Sequence, residues 1–278
     1  LEITIGNIVK YIPFSIIPHT EAFPVDEDGP ANCFITPVTY GVYSFDATVI
    51  GNGVDGIVAE TRGNPDGRSG VFTEEIERYH FKNGMGEDIS VSKNVGITPK
   101  SAKLIWQDQE NLISQVSFNT TTNRVEFLSN GAGNGIIAVY DKSDPNAEDA
   151  NVLWSWHIWH PQSTIKDEEY TNASGEKFQI MHCNLGARSD NAASVGYGGA
   201  IYQWGRKDPL WPNNDYRYGD GKTGLFFSTF RGMQKDAVTF EDAIKNPTQF
   251  IEADDWFGND DALWGDPNGR ELTTYGWS

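Results

Sequence analysis

Carboxylate and amide side chains are concentrated in one run near the end of the chain, residues 254–261. Ca²⁺ takes six to eight oxygen ligands on flexible loops, and such a run could supply them. The spacing is not that of an EF-hand loop, and a chain with 39 Asp and Glu residues contains some clusters by chance. We therefore weigh a Ca²⁺ site, the one cofactor that the sequence indicates, against a solvated acidic loop as the default. Its ligands would be Asp254, Asp255, Asn259, Asp260 and Asp261.

Exposed tryptophans are the second group of residues that could do chemistry, because a Trp face can stack on the apolar side of a sugar ring. Aromatic side chains mainly supply core area, however. Trp154 and Trp156 share one face of a predicted strand, so we expect both in the core. Trp204 and Trp211 stand among Gly, Pro and charged residues. They are therefore our candidates for contact with a ligand.

Motifs for other chemistries are incomplete. Residues 51–56 have the glycine spacing of a dinucleotide-binding loop, but Gly, Asn and Pro follow too closely for a helix to form. There is no Gly-x-Ser-x-Gly and no His-Glu-x-x-His run. His157 and His160 lie on a predicted strand that turns them to opposite faces, so they cannot share a metal. We expect both to be packed or surface histidines, and we expect no enzyme. Glycoside hydrolysis by an acidic pair stays an alternative, although nothing selects the pair.

The charge of the chain restricts its partners. The formal net charge is −18 and the pI is near 4.5. Nucleic acid is not expected as a partner, because phosphate binding needs clustered Lys and Arg, and anionic membrane surfaces are disfavoured for the same reason. The chain starts at Leu1 rather than Met, so we expect any export signal to have been removed already. Cys33 and Cys183 are expected to stay reduced.

The elements that would position these residues are mostly strands. Short alternating runs bounded by Gly, Asn, Asp or Pro predict strands at residues 1–5, 10–12, 43–49, 103–106, 114–118 and 124–128. A hairpin of residues 136–140 and 152–160 closes this part. In its second strand one face would carry Val152, Trp154, Trp156 and Ile158, and the other Leu153, Ser155, His157 and Trp159. The even spacing predicts a β-sandwich domain of immunoglobulin or transthyretin type over residues 1–162.

The second half has a different composition. Polar loop residues 161–175 precede a predicted strand at 178–183. Thr239 opens a capping box, and the short helix that follows should stop before Pro247. The pattern predicts a second, loop-rich α+β domain over residues 163–278.

Five runs of the chain are distinctive together. They are Ala-Asn-Cys-Phe-Ile at 31–35, Trp-Ser-Trp-His-Ile-Trp at 154–159, Met-His-Cys-Asn-Leu-Gly-Ala at 181–187, Gln-Trp-Gly-Arg-Lys-Asp-Pro at 203–209 and Asn-Pro-Thr-Gln-Phe at 246–250. They resemble motifs of Bacteroidetes cell-surface proteins that carry a Fibrobacter succinogenes major paralogous domain preceded by a β-sandwich. The similarity extends from about residue 31 to residue 265. It departs from the family at His182 and Cys183, which replace Asp-Arg, and at the end of the chain, where the usual final motif is missing.

The resemblance implies a C-type-lectin-like second domain, exposed on the outer surface of a bacterium and often tethered by a lipid anchor that would lie outside this chain. Such relatives are described as adhesins or fimbria-associated tip proteins, and they bring no catalytic residues. Arg206 and Asp208 lie in the matching motif. They could contact a ligand, or they could tie a loop down by hydrogen bonds.

These observations predict a non-enzymatic cell-surface protein that acts in cell adhesion by binding host or microbial glycans or surface proteins. A second hypothesis is a structural or tip subunit of a fimbria, in which residues 1–5 would pair with a neighbouring subunit by strand exchange. A third is a glycan-active hydrolase.

Overall fold

The computed structural model describes residues 2–5, 8–11, 22–37, 40–51, 57–63, 71–77, 83–87, 95–96, 98–191, 193–203, 206–210, 233–234, 240–248 and 250–251. Its strands are β1 (Glu2–Ile5), β2 (Ile8–Tyr11), β3 (Phe23–Pro24), β4 (Cys33–Ile35), β5 (Gly41–Asp46), β6 (Ile57–Gly63), β7 (Val71–Glu77), β8 (Ser101–Gln107), β9 (Ile113–Asn119), β10 (Arg124–Ser129), β11 (Gly133–Tyr140), β12 (Val152–His160), β13 (Asp167–Thr171), β14 (Lys177–Met181), β15 (Met233–Gln234) and β16 (Phe250–Ile251). The helical elements are a 3₁₀ turn, Val195–Gly198, and α1 (Phe240–Lys245).

Two four-stranded mixed sheets form the centre of the protein. Sheet I has the order β3-β5-β10-β9, and sheet II has the order β4-β12-β11-β8. In each sheet a short edge strand, β3 or β4, runs parallel to its neighbour, while the other pairings are antiparallel. The remaining strands form two-stranded pairs, β1 with β2, β6 with β7, β13 with β14 and β15 with β16.

The hydrophobic core contains side chains of both sheets. Phe45 of sheet I stacks on Phe34 of sheet II, with ring centroids 5.0 Å apart. It also contacts Trp156 of sheet II, at 5.1 Å. On β10 buried and half-buried residues alternate, as expected for a strand with one face on a core. Trp154 and Trp156 are both buried in this cluster, which confirms their predicted place in the core.

Strands β11 and β12 are buried along their whole length, on both faces. They form the predicted hairpin. The predicted faces are wrong at its turn end, because Val139 pairs with Trp154 while Tyr140 pairs with Val152. Leu153 is therefore an extra residue, a β-bulge, which shifts the alternation by one position. As a result Leu153 joins the main core, and Val152 packs on the opposite face with Tyr140.

The second half of the described chain contains more strand than the sequence indicated. Residues 161–175 were expected to form a polar loop, but Asp167–Thr171 is a strand that pairs with Lys177–Met181. Helix α1 is short and ends before Asn246 and Pro247, as predicted. In the described residues no helix is long and apolar enough to cross a membrane. The described part of the chain is mainly β with almost no helix, which confirms the predicted fold class at this level.

Candidate functional site

The face of sheet II that points away from the core carries polar, chemically capable side chains. Residues directly opposite each other in a sheet share a face. The register places Cys33 opposite His157, and Asn134 opposite Trp159. Ser155 lies two residues before His157, on the same side of β12. Strand pairing therefore gathers these groups from distant parts of the sequence, and we take this face as the candidate site.

Cys33, His157 and Asn134 are connected in series. The Sγ atom of Cys33 lies 3.2 Å from Nδ1 of His157, and Nε2 of His157 lies 2.9 Å from Oδ1 of Asn134. Asn134 donates through Nδ2 to Asp108 and to the carbonyl of Gly186, so its Oδ1 is the acceptor. The imidazole must then donate through Nε2 and accept through Nδ1. This is the connectivity of a Cys–His–Asn nucleophilic triad.

The electrostatic environment opposes that use of the three residues. Desolvation raises the pKa of the Cys33 thiol to about 12, and burial lowers the pKa of His157 to about 3. A nucleophilic cysteine needs the opposite shifts, because the attacking species is the thiolate beside an imidazolium. The pair is therefore held as neutral thiol and neutral imidazole at physiological pH. Both Cys33 and Cys183 are free thiols.

Asp108 extends this network towards the second half of the chain. One oxygen of Asp108 accepts from the backbone N–H of Asn134 at 2.8 Å, and the other accepts from its Nδ2 at 3.0 Å. The guanidinium of Arg188 lies 3.7 Å from the same carboxylate. Burial nevertheless raises the pKa of Asp108, because the lost hydration outweighs these contacts. The network links sheet II to residues 186–188.

Asp208 and Lys207, next to each other in the distinctive Arg-Lys-Asp run, close over Ser155. The Ser155 hydroxyl donates to the Asp208 carboxylate at 3.0 Å. The Lys207 ammonium donates to Asp208 at 2.8 Å and to the Ser155 carbonyl at 2.8 Å. It also lies 4.6 Å from the centroid of the Trp154 ring. Both charged side chains are almost completely buried, so this ion pair is an internal one.

Arg206 makes a different internal contact. Its Nη2 atom donates to the carbonyls of Asn246, at 2.8 Å, and Ala243, at 3.3 Å. These carbonyls belong to the end of α1, where helix C=O groups lack intrahelical partners and a cation is favourable. Nη1 of Arg206 is buried and has no hydrogen-bond partner among the described residues. Arg206 therefore holds the short helix beside Lys207 and Asp208, which lie over Ser155 of sheet II. We call residues 206–208 the covering segment.

The predicted site residues thus fall into two groups. Arg206 and Asp208 are buried, and their described contacts are to the protein's own chain. Trp204, Trp211 and the five proposed Ca²⁺ ligands, Asp254, Asp255, Asn259, Asp260 and Asp261, lie outside the described residues. Within the described part of the chain, no group of three or more His, Cys, Asp or Glu side chains could hold a metal ion.

The two histidines of β12 contact opposite sides of sheet II, as predicted. His157 lies on the outer face, beside Cys33 and Asn134. Nδ1 of His160 lies 2.7 Å from the hydroxyl of Ser129, a residue of sheet I. Both rings are buried. They are packed histidines that link structural layers rather than ligands of one metal.

Surface features offer other places for a ligand. A shallow depression of about 160 Å³ is lined by residues that include Ser163, His182, Cys183 and Asp190. That volume includes open solvent, and the depression encloses no space even for a water molecule, so it does not have the form of a typical small-molecule site. The β13–β14 hairpin is more notable, because both of its strands are exposed. The sequence predicted its second strand, at residues 178–183, but not β13, although the turn with Asn172 and Gly175 is of the kind that joins two strands.

No protein-family model matches the chain, and no match was found among the curated proteins or among the solved structures. The resemblance to the Fibrobacter succinogenes major paralogous domain therefore stays a prediction.

Proposed function

We propose that this chain is a non-enzymatic cell-surface protein that acts in adhesion, by binding glycans or protein partners. In this proposal residues 1–162 are a β-sandwich, and residues 163–278 are a lectin-like domain that covers the outer face of sheet II. The protein would be exported to the outer surface of a bacterium. The net charge of −18 is compatible with neutral or basic partners.

One observation carries this proposal. The β13–β14 hairpin leaves Tyr170, Phe178 and Ile180 exposed, at 49%, 49% and 53% of their full surface. Clustered exposed apolar side chains in a water-soluble domain are typical of interaction sites. By contrast, burial holds the thiol and the imidazole that could support catalysis in their neutral forms. Binding through an exposed surface is therefore the function that this geometry supports best.

The alternative, a filament subunit, requires that the N-terminal strand β1 can pair with another subunit. β1 pairs with β2 over four residues. Strand exchange with a neighbouring subunit would require β1 to leave this pairing. A truncated chain lacking residues 1–5 that still polymerises would rule out exchange of this strand.

The proposal is tested by screening the purified chain on arrays of glycans and of purified mucin, fibronectin and collagen, once with Ca²⁺ and once with a chelator. We expect saturable binding to at least one probe. Loss of that signal with chelator would favour a Ca²⁺ site in residues 254–261. A blank on every probe would overturn the binding proposal in favour of a structural subunit. Release of reducing sugar from a bound glycan would overturn it in favour of a hydrolase.

A further inference from the structure

One face of the β13–β14 hairpin is an aromatic strip. Tyr170 and Phe178 are direct cross-strand partners, and Glu168 is paired with Ile180. Paired residues share a face, and residues two apart on a strand share it as well. All four side chains therefore lie on the same side of the hairpin. We call this surface, formed by Glu168, Tyr170, Phe178 and Ile180, the aromatic strip.

The rings on the strip are accessible and held in place. Cross-strand partners have Cβ atoms about 5 Å apart, so the side chains of Tyr170 and Phe178 leave the backbone next to each other. Each leaves about half of its surface exposed. The hydroxyl of Tyr170 donates to Oε2 of Glu168 at 2.7 Å, which fixes the tilt of the tyrosine. The strip is thus an ordered apolar surface with a carboxylate at its side.

The opposite face of the hairpin is polar. Lys177 and Glu169 form a salt bridge there, at 2.8 Å. At the turn, the side-chain amide of Asn172 donates to Glu176 at 2.7 Å, and the side-chain oxygen of Asn172 accepts from the backbone N–H of Ser174 and of Glu176, both at 2.9 Å. These bonds hold the two strands in register. Tyr170, Phe178 and Ile180 therefore share one face of a hairpin that is braced by its own hydrogen bonds.

The size and charge of the strip argue against a second copy of this chain as its occupant. Two paired strands of five residues cover roughly 17 Å by 10 Å, or about 170 Å². A stable protein–protein interface needs about 800 Å² on each partner. A second copy would also bring together two chains of net charge −18 and place the Glu168 carboxylates close to each other. An uncharged, elongated ligand with a small contact area fits the strip better.

A neutral sugar chain has the chemistry that the strip would recognise. Its C–H groups, on the apolar faces of the rings, carry slight positive charge and would lie on the negative faces of Tyr170 and Phe178. Its hydroxyls are hydrogen-bond donors, which the Glu168 carboxylate can accept. Its lack of charge avoids the repulsion that an anionic polymer would meet.

We propose that the aromatic strip of the β13–β14 hairpin is a binding platform for a neutral polysaccharide. This inference rests on the proposed binding function and names the surface and ligand class for it. Tyr170 and Phe178 supply the stacking area, Ile180 extends it along β14, and Glu168 orients the tyrosine and accepts sugar hydroxyls.

The test is affinity electrophoresis of the full chain in native gels that contain mixed-linkage β-glucan, galactomannan or arabinoxylan. We expect at least one polysaccharide to retard the wild type. Tyr170→Ala and Phe178→Ala should each weaken that binding by about tenfold or more, as for central aromatic residues of other interfaces. Tyr170→Phe keeps the ring and should retain most of the retardation. Gln179→Ala lies between Phe178 and Ile180 but on the opposite face, so it is the matched control and should bind like the wild type.

The possible failures are distinguishable. If wild type is retarded and Tyr170→Ala and Phe178→Ala are retarded equally, the strip is not the platform, while glycan binding by the protein stands. If no neutral polysaccharide retards the wild type, the platform is overturned, and the proposed function then depends on the protein probes of the array. If light scattering shows a dimer that Tyr170→Ala dissociates, the strip is a self-association surface and the inference is wrong. Thermal melts of the variants show whether each is folded.

Discussion

The β11–β12 hairpin and the β13–β14 hairpin use the same antiparallel pairing, yet one is buried on both faces and the other is exposed on both. In the first, the core lies on one side, and residues 186–188, Lys207 and Asp208 contact the other. In the second, neither strand is covered. The same local structure therefore serves as a packed interior layer in one place and as a projecting element in the other.

The difference changes what polar and apolar groups can do. On the buried hairpin, polar groups such as Ser155 and His157 are engaged by Asp208 and Asn134. They stabilise the attachment of the second half of the chain, and little of their bonding capacity remains for a ligand. On the exposed hairpin, the aromatic side chains retain accessible surface. For locating a binding surface in this protein, the exposure of a side chain is therefore more informative than its chemical type.

The largest expected effect is on the core of the buried hairpin. Trp156→Ala should lower the free energy of unfolding by about 3–5 kcal/mol, because it leaves a large cavity beside Phe45. Chemical denaturation monitored by circular dichroism measures this. Trp156→Phe is the milder comparison, since it keeps a ring and removes an indole N–H that has no partner among the described residues. An unchanged stability of Trp156→Ala would place this side chain outside the core.

The next prediction concerns the buried ion pair over Ser155. Asp208→Ala should cost about 3 kcal/mol, because it leaves the Lys207 ammonium buried without its carboxylate. The double variant Lys207→Met with Asp208→Ala should recover part of that loss, since no unpaired charge remains. Urea denaturation curves of the three proteins give the comparison. Equal stability of Asp208→Ala and wild type would show that the pair is solvated.

A pH dependence should distinguish the buried hairpin further. Burial lowers the pKa of His157 from 6.5 to about 3, so the unfolded chain takes up this proton first as the pH falls. The stabilisation is therefore complete above pH 6.5 and is lost progressively towards pH 3, by roughly 2 kcal/mol at about pH 5. Burial also lowers the pKa of His160, which acts in the same direction.

The measurement is a pair of urea denaturation curves at pH 7 and pH 5, for wild type and for His157→Gln. The glutamine does not titrate, so the difference between the two proteins isolates the histidine from the many carboxylates. We expect the variant to be less stable at pH 7 but to lose less stability on acidification. Parallel losses in the two proteins would mean that His157 is protonated in the folded state.

The smallest expected effect is on the exposed hairpin. Tyr170→Ala should change the free energy of unfolding by no more than about 0.5 kcal/mol, as for most surface substitutions. Thermal melting of the variant beside wild type measures this. A loss of about 2 kcal/mol or more would mean that the hairpin packs on the rest of the protein and is not a free surface.

The sequence alone determined β1, β5, the strands from β8 to β12, and β14, together with the long hairpin and the core position of Trp154 and Trp156. Alternation of apolar and polar residues is a local signal, and it specifies strands wherever one face is buried. The same signal failed at Leu153, because a bulge depends on pairing with a partner strand. It also failed at β13, whose exposed residues carry no apolar pattern.

Only the tertiary structure decided which residues share a site. Cys33 and His157 are 124 residues apart, and Ser155 and Asp208 are 53 apart. Strand register and the path of the covering segment bring them together, and neither is encoded in a short run of residues. Their protonation states depend on burial, which follows from packing on both faces of sheet II. The exposure of Tyr170 and Phe178 was decided in the same way, because none of the described residues packs closely enough on their hairpin to bury them.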